Sequence, residues 1–216
     1  YPIAERASLS LNASEISVGC MRISKMTNQE ISTLVHTAMD EGINFFDHAD
    51  VYGGGKCEEK FSEALGMNTS LREKMILQTK VGIRQGSFDF SKEHILEAVD
   101  GCLKRLQTDY LDVVLLHRPD ALVEPEEVAE AFTILETSGK VKYFGVSNQN
   151  PMQIELLTKF VKQKIHFNQL QLSITNTGMI DAGINVNMQI DHSVNRDGGI
   201  LDYCRLKEII IQPWSP

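Results

Sequence analysis

Hydrophobic positions along the chain follow two alternating rhythms. Short runs rich in β-branched and aromatic residues read as strands: ISVGC (16–20), INFFD (43–47), MILQTK (75–80), YLDVVLLH (110–117), YFGVSN (143–148), HFNQLQ (166–171) and IIIQPWSP (209–216). Between them, segments with apolar residues at three- and four-residue spacing read as helices over 27–42, 57–66, 91–107, 125–139, 151–163 and 199–207. Their ends carry the expected signals. Thr27 with Glu30 makes a capping box, Ser91 is an N-cap, Pro125 opens a helix, and Gly42 and Gly66 stop two others. Ahead of this rhythm, Leu9, Leu11 and an Asn12-Ala13 turn suggest a short hairpin.

Seven strands alternating with six helices predict βαβ units, a parallel sheet and a single domain over 1–216. The runs VVLL and III are continuously apolar, as strands covered on both faces must be. A doubly wound sheet places a glycine-rich fingerprint after its first strand, and ISVGCMRI offers only Gly19. A barrel instead gathers polar groups at the C-terminal end of every strand. The strand ends carry Gly19 and Cys20, Asp47, Lys80, His117, Ser147 and Asn148, Gln169, then Trp214 and Ser215. The pattern therefore predicts an α/β fold, a (β/α)8 TIM barrel with the last βα unit absent from this sequence, and a site at the mouth.

Composition narrows the partners. A net charge of -8 with no basic stripe argues against nucleic acid, and no long apolar span or leader points to a membrane or to secretion. Four dispersed cysteines without metal spacing suggest reduced thiols in a cytoplasm, and Cys57 and Cys204 fall on predicted helices as inert residues. His36, His48, His94, His166 and His192 read as surface or loop histidines.

On one rim the pattern gathers Asp47, Tyr52, Lys80 and His117. A phenol titrates near ~10, too high for ready exchange at neutral pH. A Lys80 ammonium at ~4 Å would favour the phenolate by about 4 kcal/mol at an effective dielectric of ~20, before desolvation opposes it. Asp47 can aim Lys80, and His117 can orient a carbonyl oxygen or relay a proton. The set suits a general acid acting on a developing alkoxide. Asp47, His48, Asp50 and His117 could alternatively form a metal site of a barrel hydrolase, but that leaves Tyr52 and Lys80 unexplained. The Asp47–Lys80 pair could also be merely structural. GGGK (53–56) lacks phosphate-loop spacing and reads as a turn.

The motifs GINFFDHADVYGGG, SEALG, LQTKVG, YLDVVLLHRPD, GKVKYFGVSN and NQLQ together resemble the aldo-keto reductases, over essentially the whole chain from ISVGCMRI to IIIQPWSP. The ADVYGG and LLHRPD forms look most like bacterial oxidoreductases of the YdhF type. The resemblance implies a barrel enzyme that uses NADPH to reduce a small-molecule carbonyl, with Asp47, Tyr52, Lys80 and His117 as its catalytic four. It further implies that Ser147, Asn148 and Gln169 bind the nicotinamide carboxamide and that Trp214 stacks on the ring. Ser215 and Pro216 would begin the pyrophosphate loop, and Gly19, Cys20 and Met21 would line the first strand's end. The family's 2′-phosphate-binding segment follows the seventh strand, so a preference for NADPH over NADH has no residues here to carry it. The links 81–94 and 175–199 are candidate substrate loops. A nucleotide-sensing regulatory subunit, such as the potassium-channel β subunits that share this resemblance, is the alternative of another class.

Overall fold

The computed structural model describes residues 10–215. Its strands are β1 (Ser17–Gly19), β2 (Phe45–Asp47), β3 (Ile76–Val81), β4 (Ile83–Arg84), β5 (Ser87–Phe88), β6 (Leu111–Leu116), β7 (Val141–Ser147), β8 (Ile165–Gln171) and β9 (Ile210–Trp214). The helices are α1 (Asn28–Asp40), α2 (Lys56–Leu65), α3 (Thr69–Arg72), α4 (Lys92–Leu106), α5 (Pro125–Thr137), α6 (Pro151–Thr158), α7 (Gly178–Ile184) and α8 (Ile200–Leu206).

One sheet takes the order β1-β2-β3-β6-β7-β8-β9, every neighbouring pair parallel. Strand order in space follows strand order in the chain, with no reversal of the kind a doubly wound sheet makes at its switch point. The sheet is also curled. Gln78 of β3 and Gln212 of β9 are hydrogen-bonded through their side chains, although four inter-strand steps would separate them by about 19 Å in a flat sheet. The architecture is thus a (β/α)8-type barrel whose sheet has β1 and β9 as its edges among the described residues.

Alternation along the strands sorts the core into two layers. Phe45, Ile76, Val113, Leu115 and Phe167 fill the barrel interior. Their sequence neighbours Phe46, Leu77 and Val114 face outward and pack under the helices with residues such as Val35, Phe61 and Phe132. Gly145 of β7 sits where a Cβ would meet Leu115 Cδ2 at 2.6 Å and the Phe167 carbonyl at 2.7 Å, so only glycine fits that close approach. Climbing the interior, apolar side chains give way to Asp47, Gln78, Lys80, Ser147, Gln169 and Gln212.

The helix signals hold. Thr27 forms its capping box with Glu30, Ser91 accepts from His94 N, Pro125 opens α5, and Gly42 and Gly66 adopt positive φ after α1 and α2. Helix α6 ends at Thr158, earlier than its pattern suggested, and Val161 is buried in the segment that leads into β8. The link after Lys80 forms the antiparallel β4–β5 hairpin, and the polar stretch after β8 holds α7. Leu9 of the expected hairpin lies outside the described residues; Leu11 instead enters the barrel interior from an irregular segment.

At the strands' N-terminal end, Arg72 donates to Asp112 Oδ2 (2.6 Å), Met75 O, Tyr110 O and Thr108 Oγ1, and Leu77 N shares that carboxylate oxygen. Asp112 is 4% exposed. Arg72→Ala would leave the buried carboxylate with the Leu77 N–H and, among the described residues, the half-exposed Lys142 as its one remaining charged partner. The expected cost is about 3 kcal/mol, read from the midpoint of urea unfolding. An unchanged midpoint would show that this pair does not hold the barrel floor.

Candidate active site

Asp47 ends β2 and pairs in register with Gln78 of β3; Lys80, two residues further along β3, therefore projects from the same face. Lys80 Nζ donates to Asp47 Oδ1 (2.8 Å), Asp47 Oδ2 (2.7 Å) and the His48 carbonyl (2.9 Å). Three acceptors match the three hydrogens of an ammonium, which is what a lysine 1% exposed needs to stay charged. The third acceptor comes from the turn that leaves β2, held by His48 N donating to Gln78 O and Asp50 N donating to Lys80 O.

That turn brings in Tyr52. The following 3-10 turn, Tyr52–Gly55, carries φ of 60°, 66° and 89° at Gly53, Gly54 and Gly55, a succession only glycines adopt without strain. The GGG triplet is a turn, and it sets the half-buried Tyr52 ring with its centroid 5.0 Å from Lys80 Nζ. His117, the residue after β6, meets that ring edge-on at 6.0 Å. The expected catalytic four therefore do share one end of the barrel.

Burial and the Lys80 charge act on Tyr52 in opposite directions. Burial raises the Tyr52 phenol above its ordinary value; Lys80 pulls down, but Asp47 adds to the rise, and the net direction is upward. Burial is the largest of these influences, so it outweighs the pull of the ammonium. His117 is pressed down to about 3 by burial and then by Lys80, so its imidazole is neutral. Its Nδ1 is buried without a partner among the described residues.

Across the mouth, Ser147 Oγ donates to Gln169 O (3.1 Å), Asn148 Nδ2 donates to Ser147 Oγ (2.8 Å), and Trp214 Nε1 donates to Asn148 Oδ1 (3.0 Å). Asn148 has φ 57°, a left-handed conformation that Asn tolerates and that ends β7 sharply beneath the indole. Gly19 ends β1 in register with Asp47. Cys20 is buried and its thiol is pushed up by burial, Met21 is exposed, Ser215 is exposed with φ 51°, and Pro216 lies outside the described residues. A cavity of about 600 Å³ opens beside these strand ends, lined by Asn148, Gln171, Asp181, His192, Arg196 and Asp197.

His48 and His166 are not surface residues: they are 0% and 8% exposed, His48 packed against Phe61 and His166 lying within β8 beside Tyr143. Both ring nitrogens of His48 lack partners among the described residues, and its ring packs edge-on against Phe61 at 4.6 Å. Asp50 is pushed up to about 7 by burial and then by Glu58. Sequence reasoning also missed Gln78 and Gln212, which contact the site from within strands. Gln78 sits two positions before Lys80 on a face already assigned to the interior, and that spacing was the available signal. Among the described residues no three His, Cys, Asp or Glu side chains gather as a metal-ligand set, and no helix is long and apolar enough to cross a membrane.

Comparison with known proteins agrees with the barrel architecture. Residues 15–216 match the aldo/keto reductase family, and the chain belongs to that family. It is 38% identical over 219 residues to an uncharacterized oxidoreductase, YcsN, of Bacillus subtilis, covering 95% of this chain and 67% of YcsN. It is 38% identical over 156 residues to the oxidoreductase YdhF of Escherichia coli, covering 68% of this chain and 52% of YdhF. The solved holo form of the aldo-keto reductase AKR11C1 from Bacillus halodurans superposes with a TM-score of 0.74 at 28% identity, over 94% of this chain and 62% of that one. The chain thus spans about half to two thirds of the length of these relatives.

The buried histidines set an acid limit. His48 is lowered to about 4, His117 to about 3 and His166 to about 4, in each case first by burial. An unfolded histidine takes up its proton near ~6.5, so below that pH the unfolded chain binds more protons and folding stability is lost as pH falls toward these values. Asp50 acts in the opposite sense between its ordinary value and about 7, offsetting roughly one histidine. The denaturation midpoint should fall as pH is lowered from 7 to 5; a flat midpoint over that window would contradict the neutral burial of these rings.

Proposed function

We propose that this chain carries the catalytic centre of an NADPH-dependent oxidoreductase that reduces aldehydes or ketones to alcohols. One observation carries the reading: a buried, fully satisfied Lys80–Asp47 pair lies beneath the ring of Tyr52, with a neutral His117 against that ring's edge.

The residues of the mouth fit a nicotinamide. Gln169 Oε1 and one hydrogen of Asn148 Nδ2 are unengaged among the described residues, which leaves an acceptor beside a donor, the complement of a carboxamide. Trp214, anchored through its N–H, is a half-buried indole on which a ring can stack. When bound, the reduced cofactor would supply a hydride to the carbonyl carbon. Tyr52 gives its phenolic proton to the carbonyl oxygen. Its raised pKa keeps that proton in place at neutral pH, and Lys80 eases its departure by stabilising the phenolate. Neutral His117 can donate one N–H to the same oxygen and orient the carbonyl without adding charge. The proton lost from Tyr52 returns from water.

Tyr52→Phe keeps the ring and removes the proton, so kcat should drop by about 10²- to 10⁴-fold while cofactor affinity survives. Lys80→Met should also slow the chemical step and raise the apparent pKa that governs it. Single-turnover hydride transfer to a panel of reactive aldehydes is the measurement. A near-normal rate in Tyr52→Phe would remove Tyr52 as the acid, and a chain that binds NADPH without reducing any carbonyl would favour a nucleotide-sensing role. Trp214→Ala should weaken NADPH binding in a fluorescence titration; the same titration with NADH reads the preference between the two.

A further inference from the structure

A bridge of amides crosses the upper barrel. Gln78 is fully buried, and its Nε2 donates to both Asp47 Oδ1 (2.6 Å) and Gln212 Oε1 (2.9 Å). Gln212 Nε2 returns a bond to Gln78 Oε1 (3.1 Å), and Gln169 Nε2 donates to Gln212 Oε1 (3.3 Å). These contacts link β2, β3, β9 and β8 at the level of the catalytic groups.

The bridge has a direction. An ionised carboxylate only accepts, so Asp47 dictates that the nitrogen end of the Gln78 amide faces it. The reciprocal pair then turns Gln212 so that its oxygen meets Gln78 Nε2, and that oxygen also draws in the nitrogen of Gln169. The Gln169 oxygen is left outward. We infer that Gln78 and Gln212 are positioning residues: Gln78 fixes the Asp47 carboxylate under Lys80, and the Gln78–Gln212 pair imposes on Gln169 the orientation in which its oxygen faces the cofactor. The role given to Gln169 rests on the reductase reading above. The hold on Asp47 does not.

A purely space-filling role for these amides predicts something different from a positioning one, and three variants separate the two. Gln78→Leu keeps the bulk and removes the donor to Asp47; single-turnover hydride transfer should slow by about 10- to 100-fold with little change in thermal midpoint. In Gln78→Glu the new carboxyl can donate to Asp47 while accepting from Gln212 only when it is protonated. Its kcat should therefore approach the wild-type value at acid pH and fall as pH rises, adding a limb to the pH profile that the wild-type chain lacks. Gln212→Leu leaves the Asp47 contacts intact and frees Gln169, so the NADPH dissociation constant should rise by roughly 10-fold, with a smaller effect on the hydride step. A Gln78→Leu rate equal to wild type, a Gln78→Glu profile superimposable on wild type, or unchanged NADPH affinity in Gln212→Leu would each overturn the inference while leaving an active wild type as a reductase. A wild-type chain that neither binds NADPH nor transfers hydride would overturn the reductase reading instead.

Discussion

A lysine buried to 1% exposure is the constraint around which the upper barrel is arranged. An ammonium removed from water must find an opposite charge and an acceptor for each hydrogen, or give up its proton. Lys80 meets the demand with both oxygens of Asp47 and the His48 carbonyl. That solution fixes much else. It requires β2 to end beside β3 in the observed register, and it requires the chain leaving β2 to turn its carbonyl back. The same turn carries Tyr52 over the pair.

Proximity of lysine to tyrosine is not enough to make a phenolate. Lys80 pulls the phenol down and Asp47 partly opposes it, but burial is the largest influence and decides the direction. A proton donor rather than a pre-formed base is the result, which agrees with reduction as the direction of chemistry proposed here. His117 shares this logic: next to an ammonium and away from water, an imidazole stays neutral.

Much of the site could be read directly from the chain, because a parallel barrel sends every strand end to one mouth. Asp47, Lys80, His117, Ser147 and Gln169 stood out as polar residues closing apolar runs, and the expected helix caps at Thr27, Ser91 and Pro125 are local features that tertiary packing leaves alone. What escaped depended on distant partners. Gln78 and Gln212 acquire meaning only when the sheet curls enough for β3 to face β9, a contact between positions far apart in sequence. Leu11 fills the barrel interior for the same long-range reason, and the β4–β5 hairpin arises in a polar link whose pattern carries no period. His48 was misjudged because a histidine after a strand resembles a loop residue until packing against Phe61 is seen.

Strand β3 is held by charge at both of its ends. Asp112, locked to Arg72, accepts from Leu77 N near its start, and Lys80 is clamped to Asp47 near its finish. All six residues of the strand are buried, and it is hydrogen-bonded to β2 on one side and β6 on the other. A segment pinned in this way is expected to exchange its amides with solvent through opening of the surrounding unit rather than by fraying. Lys80 thus belongs to a buried strand fixed near both of its ends, whereas Tyr52 sits on a glycine turn at the rim. The candidate site joins a residue on a doubly pinned strand to one carried by a turn outside the sheet.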